Sequence, residues 1–205
     1  EKVQFDTIYH EHYSYLSLHA VKTIFEACGL RIFDIEHLPT HGGSLRVFTC
    51  RKSANHLEAT AVSTTLAAER EAGLADAESA AYRGFSAKAE HARTSFLAFL
   101  QKCKEEKKSV AGYGAAAKGN TFLNYCGLGA DALTMIADAS HAKQDKLAPG
   151  THIPIVSPEA LIASKPDYVV ILPWNIATEV VSSMKAITEN GGHFVIAIPE
   201  TRIVA

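Results

Sequence analysis

Gly112-Tyr113-Gly114-Ala115-Ala116-Ala117-Lys118-Gly119 joins a short apolar run, 109–112, to a stretch with helical spacing, 119–126. It fits the G-x-G-x-x-G/A pattern of a strand-to-helix turn, with alanine at the third small position. The first glycine permits a tight turn, and the second lets the backbone approach a pyrophosphate. Free N–H groups at the start of the helix favour an anion, and Lys118 adds positive charge. Asp138 ends the next expected strand, 133–138, near where a dinucleotide-binding domain keeps a carboxylate for a ribose hydroxyl. Two readings stand for this loop: a nucleotide or sugar-nucleotide site with Gly112, Tyr113, Gly114, Lys118, Asn120 and Asp138 around the ligand, or small residues that let helix and strand pack closely.

Downstream of the loop, strand and helix patterns alternate. A helix is expected over 158–164, a strand over 168–172, a helix over 176–189 and a strand over 193–198. Such alternation forces parallel strands with crossover helices on the sheet faces. The fold class is therefore α/β, with residues 109–205 as a Rossmann-like unit. The stretch 143–154, containing Pro149-Gly150-Thr151-His152, reads as a long loop beside the same strand ends, where function often resides.

Upstream, residues 53–108 hold little but helix formers. They read as a helical connector of two helices, broken near Gly73 and again near Gly84, the second starting close to Ser86. Residues 1–52 read as strand 3–8, a polar cluster, a helix over 17–28 and a hairpin. Ser17 suits the N-cap of that helix, Leu18, Val21, Ile24, Phe25 and Cys28 follow at helical spacing, and Gly29 stops it. Strands 30–37 and 44–51 are joined by a loop holding Gly42 and Gly43. The chain opens without methionine straight into the first strand, which reads as a start in mid-domain.

The 205 residues, 47% hydrophobic and 20% charged, have the composition of a globular protein rather than a disordered or fibrous one. A net charge of -2 gives no electrostatic footprint for nucleic acid, and the basic run 102–108 is interleaved with Glu105 and Glu106. Nothing approaches the roughly 18 apolar residues of a membrane span, and the polar opening has no signal-peptide core, so a cytoplasmic protein is expected. The four cysteines, 28, 50, 103 and 126, are too widely spaced for paired zinc ligands and read as buried free thiols.

Tyr9-His10-Glu11-His12 falls at the carboxyl end of the expected strand 3–8, where open α/β sheets bind ligands. Two imidazoles, a carboxylate and a phenol supply a base that titrates near neutrality, a partner to orient it and a hydroxyl for an oxyanion. That set suits proton abstraction beside a carbonyl. The alternative is a surface loop leading into Tyr13 and Tyr15. His10 and His12 with no third ligand nearby make a poor metal site.

Taken together, the segments Phe5 to His12, His41 to Arg46, Tyr113 to Thr121 and Pro149 to Pro154 resemble the signature segments of the sugar C-methyltransferase family. The resemblance implies the C-terminal part of an S-adenosylmethionine-dependent enzyme acting at C3 of a nucleotide-linked 4-keto-6-deoxy sugar. Residues 1–52 would then be the end of a class I methyltransferase domain: its fifth strand, the next helix and the closing hairpin. His12 would be the general base, Tyr9 its neighbour at the enolate, and Glu11 a contact to the sugar or to the base. The family's zinc ligands would precede residue 1, and its donor-binding glycine motif has no match here, so the isolated chain is expected to bind the donor poorly. The Rossmann-like domain would hold the sugar nucleotide, with Lys118 and Asn120 as preferred contacts, and needs no nicotinamide. A stand-alone nucleotide-binding module, with the first 52 residues as a dimerising arm, is the rival reading. A dehydrogenase is disfavoured because no substrate domain follows. Residues 1–52, deprived of sheet partners, are expected to pack on the C-terminal domain or on a second copy of the chain.

Overall fold

The strand segments of the second half are continuously apolar, which suits strands covered on both faces. In the computed structural model, which describes residues 2–205, they are β3 (Val110–Tyr113), β4 (Ile136–Ala137), β5 (Ile155–Val156), β6 (Tyr168–Ile171), β7 (His193–Ile196) and β8 (Arg202–Ile203). They form one sheet in the order β5-β4-β3-β6-β7-β8. All neighbours are parallel except β8, which runs antiparallel to β7. Alternate residues supply two cores. Val110, Val170 and Val195 join Phe96, Phe122 and Leu123 on one face, while Ala111, Val169, Ile171, Phe194 and Ile196 join Leu161 and Ile187 on the other. Each large side chain buried there contributes roughly 1.5–3 kcal/mol. Helices α4 (Ala117–Tyr125), α5 (Pro158–Ser164), α6 (Ala177–Ser183) and α7 (Ala186–Glu189) make the connections. The fold is an α/β unit with a mixed, mainly parallel sheet, as the strand and helix alternation predicts.

The chain divides into two compact units. Residues up to His12 group with Lys88–Ala205, and Tyr13–Ala87 form the other. The second unit is built on an antiparallel pair, β1 (Leu30–Leu38) and β2 (Ser44–Arg51), with a bulge between Ile32 and Asp34. Helices α1 (Leu18–Ala27) and α2 (Thr60–Glu71) cover a core of Leu18, Ile32, Ile35 and Val62. Ser17 caps α1 as expected, its side chain accepting from the Ala20 N–H. Glu69 of α2 adds a carboxylate at the same helix start, accepting from the N–H groups of Leu18 at 2.7 Å and His19 at 3.0 Å. Ile24, expected on the apolar face, is 48% exposed.

Several expectations are corrected. Residues 3–8 are not a strand: Val3 takes φ of 52° and Phe5–Thr7 form a 3-10 turn. A strand needs a neighbour's hydrogen bonds, and among the described residues no strand pairs with this segment. Its apolar side chain instead docks on α4, where the Phe5 ring lies 4.9 Å from Tyr125 and 6.1 Å from Phe122. Gly73, with φ of 78°, does end α2, but α3 (Ala80–Glu105) begins six residues before Ser86 and runs through Gly84. Packing of Ala89, Ala92, Phe96 and Cys103 outweighs the weak helix propensity of one glycine. The helix expected over 176–189 breaks at Met184, whose backbone leaves helical geometry while its side chain enters the core. Strands β5 and β8, two residues each, carry too short a pattern to read. Of the cysteines, all free, Cys103 and Cys126 are buried, whereas Cys28 is exposed and Cys50 partly so. Among the described residues no helix is long and apolar enough to cross a membrane.

Candidate functional site

β3 leads through α4 to β4 on one side of the sheet, while β6 leads through α6 and α7 to β7 on the other. The crevice between the carboxyl ends of β3 and β6 is thus the topological switch point, where open α/β sheets bind ligands. The glycine loop lies on its β3 side. Each of its glycines has a packing reason. A Cβ on Gly112 would stand 3.1 Å from Ile136 Cγ1, one on Gly114 2.5 Å from Pro173 Cδ, and one on Gly119 2.8 Å from Leu172 Cβ. Gly114 also has φ of 89°, which favours glycine. Its N–H donates to the Ala137 carbonyl at 2.7 Å, tying the loop to β4.

Asp138 is buried and fully engaged with its own loop. One carboxylate oxygen accepts from the Ser140 N–H at 2.8 Å, the other from Lys143 Nζ at 2.9 Å. Burial and the nearby Asp138 carboxylate push the Tyr113 hydroxyl pKa up. Asn120 sits partly exposed on the first turns of α4, and Asn124 one turn on donates to the Pro149 carbonyl at 3.0 Å. That bond fixes the Pro149–His152 turn against α4, where a side chain on Gly150 would collide with Asn124.

On the β6 side, Trp174 and Asn175 follow the strand and meet Lys118. Lys118 is 7% exposed, with Nζ 3.3 Å from Asn175 Oδ1 and 4.8 Å from the centre of the Trp174 ring. Burial lowers its pKa, and the Asp6 charge opposes that shift. Asp6 is fully buried and accepts from Trp174 Nε1 at 2.8 Å. Burial raises its pKa against the lowering effects of the Trp174 hydrogen bond and Lys118. Sequence reasoning missed Asp6, Trp174 and Asn175. The one signal available was Trp174, the chain's single tryptophan, two residues past the end of an expected strand.

Tyr9, Glu11 and His12 follow the docked turn at once and belong to the same compact unit as the glycine loop. His12 Nδ1 lies 2.9 Å from the Thr7 carbonyl. A carbonyl only accepts, so Nδ1 carries the proton and Nε2 is the basic nitrogen of the neutral ring. The Tyr9 and His12 rings are 4.3 Å apart between centroids. Glu11 is exposed, 4.0 Å from His10 Nε2. Among the described residues no three His, Cys, Asp or Glu side chains gather as a metal site. S-adenosylmethionine is not fitted by this loop, since Gly114 abuts Pro173 and both Asp138 oxygens are already bonded.

The fold defines this part of the chain as an α/β, Rossmann-like domain. Residues 39–199 match the family described as the C-methyltransferase C-terminal domain. The chain belongs to that C-methyltransferase family. It is similar to the C-methyltransferase NovU of Streptomyces niveus, at 42% identity over 202 residues, covering 98% of this chain and 48% of that protein. The chain thus spans about half the length of that curated relative.

Proposed function

We propose that this chain is the C-terminal portion of an S-adenosylmethionine-dependent enzyme that methylates C3 of a nucleotide-linked 4-keto-6-deoxy sugar through an enolate. The observation that carries the reading is the hydrogen bond between His12 and the Thr7 carbonyl, which leaves Nε2 basic beside the Tyr9 ring. Family membership supports a methyl transfer to carbon, and such a transfer needs a carbon nucleophile. A proton beside a carbonyl is the accessible source of one. His12 Nε2 takes the C3 proton, the C–H electron pair becomes the C3–C4 double bond, and charge collects on the C4 oxygen. Tyr9 donates its hydroxyl hydrogen to that oxygen, and Glu11 contacts the sugar or orients the base. The donor supplies an already activated methyl group. Its site is assigned mostly, and that of any zinc wholly, to the part of the full-length enzyme outside this chain, with residues 1–52 completing the methyltransferase domain.

The nucleotide end is assigned to the carboxyl edge of β3 and β4, with the partly exposed Tyr113 and Asn120 as contacts; Gly112 and Gly114 face packed side chains, and Lys118 and Asp138 are bonded within the protein, so these four shape that edge. The test uses the full-length enzyme in deuterium oxide with a nucleotide-linked 4-keto sugar and no donor. Wild type is expected to exchange the C3 hydrogen, and His12→Ala to slow exchange by about 10²-fold or more. Wild-type exchange in His12→Ala would remove His12 from the role of base. The rival, a non-catalytic nucleotide-binding module, requires no exchange in either protein.

A further inference from the structure

Asp6 buries a carboxylate at the switch point, near Lys118 in the first turn of α4 and bonded to Trp174 of the β6–α6 connection. Its Oδ2 accepts the indole N–H, while Oδ1 is buried and meets no hydrogen-bond donor among the described side chains. A half-bonded buried carboxylate is a poor way to gain stability. It is, however, an anion placed where such folds bind the anions of their ligands, so the crevice holds part of its own chain. Asp6 also stands next to the residue that orients the base. Thr7, whose carbonyl accepts from His12 Nδ1, is fixed in turn by its N–H on the Gln4 carbonyl at 3.2 Å and its hydroxyl on the same oxygen at 2.7 Å. The path from the sheet to the base is short: Trp174 Nε1, Asp6, Thr7 carbonyl, His12 ring.

We infer that Asp6 is a positioning residue: bonded to Trp174 beside Lys118, it fastens the turn that carries Tyr9, Glu11 and His12 onto the switch-point crevice of the Rossmann-like sheet. The inference rests on the reading of His12 as base. It gives the Rossmann-like unit a part in proton abstraction, and it gives Lys118 the duty of balancing an internal carboxylate. Loss of the indole donor removes the hydrogen bond that ties Asp6 to the β6 side of the crevice, so the turn shifts and Nε2 loses its aim. Misplacement on that scale costs up to about 10²-fold in rate.

The test compares Asp6→Asn and Trp174→Phe with wild type in the full-length enzyme. Trp174→Phe keeps an aromatic ring and removes only the donor. Both are expected to slow C3 exchange and kcat by about 10- to 100-fold, with KM for the sugar nucleotide changed by less than about threefold. Exchange within about twofold of wild type, or a loss confined to KM, overturns the inference. A second measurement needs neither variants nor activity: in the wild-type chain, the Thr7 and Ile8 amides should be protected from hydrogen exchange to the same degree as those of α4, and exchange at open-loop rates overturns the anchor. If His12→Ala retains wild-type C3 exchange, the base reading falls alone, and amide protection still decides the anchor.

Discussion

Asp167, just before β6, accepts three hydrogen bonds, from Lys108 Nζ, the Ser109 N–H and the Ser109 hydroxyl, each at 2.8 Å. The Lys108 hydrogen bond, first among these, holds its pKa down at about 2 from an ordinary 3.8. A carboxylate whose pKa is lowered by folding stabilises the fold above its unfolded value, and that contribution is lost as pH falls from 3.8 towards about 2. Asp6, with its pKa raised, has the opposite sign, favouring the fold where it can keep its proton. Asp167→Ala is expected to lower stability by roughly 1–3 kcal/mol at pH 7, and the loss should shrink on acidification through that window. Urea unfolding at a series of pH values reads both effects; a deficit independent of pH would refute the assignment. The site residues were legible one by one, because imidazoles, a phenol and a cation have chemistry that does not depend on context. The partner of each was not, since the spacing between Asp6 and Trp174 carries no period.

At the scale of elements, two glycines with the same sequence appearance differ in what surrounds them. Gly84 lies inside α3 with nothing within 4 Å of where a Cβ would be, whereas Gly114 faces Pro173 at 2.5 Å and has φ of 89°. Gly84→Ala is expected to stabilise the protein by about 0.5–1 kcal/mol. Gly114→Ala is expected to destabilise it by more than about 1 kcal/mol. Thermal unfolding of both variants checks the contrast, and a Gly84→Ala variant with a lower Tm would show that the helix does break there. The longer strands and helices from 109 to 198 were readable because apolar runs between turn residues repeat along the chain, whereas β5 and the break at Met184 were not. Segment 3–8 was misread for a related reason. Its apolar residues look like a strand, but a 3-10 turn presents Phe5 to α4 equally well, and only the absence of a pairing partner decides between them.

At the scale of the molecule, residues 13–52 leave Tyr13 95%, Tyr15 53% and Leu16 53% exposed, together with Ile24. Tyr13, Tyr15 and Leu16 are near neighbours along the chain, and an exposed apolar stretch suits a surface that takes a partner. Self-association through residues 1–52 is the proposal they support. Light scattering of the 205-residue chain over a range of concentrations should show a mass twice that of one chain, falling on dilution; a single-chain mass at every concentration would end the proposal. The chain's two halves also differ in how completely they bury themselves. The sheet of β3 to β8 has cores on both faces, while the β1–β2 pair rests on a small cluster around Leu18 and Val62.

The sequence by itself determined the α/β class, the alternation of the longer strands and helices of residues 109–205, the hairpin and which side chains carry acid–base groups. Each of these follows from local periodicity, from turn residues, or from side-chain identity. Tertiary structure alone decided that Asp138 spends its carboxylate on its own loop, that each glycine of the loop makes room for a neighbouring side chain, and that Asp6, Lys118 and Trp174 meet at the switch point. Asp6 lies 112 positions before Lys118, Lys118 lies 56 before Trp174, and the three share no repeat. Only the crossing of the two connections at the centre of a parallel sheet brings them together, and burial there sets their pairing and the direction of the Asp6 and Lys118 pKa shifts.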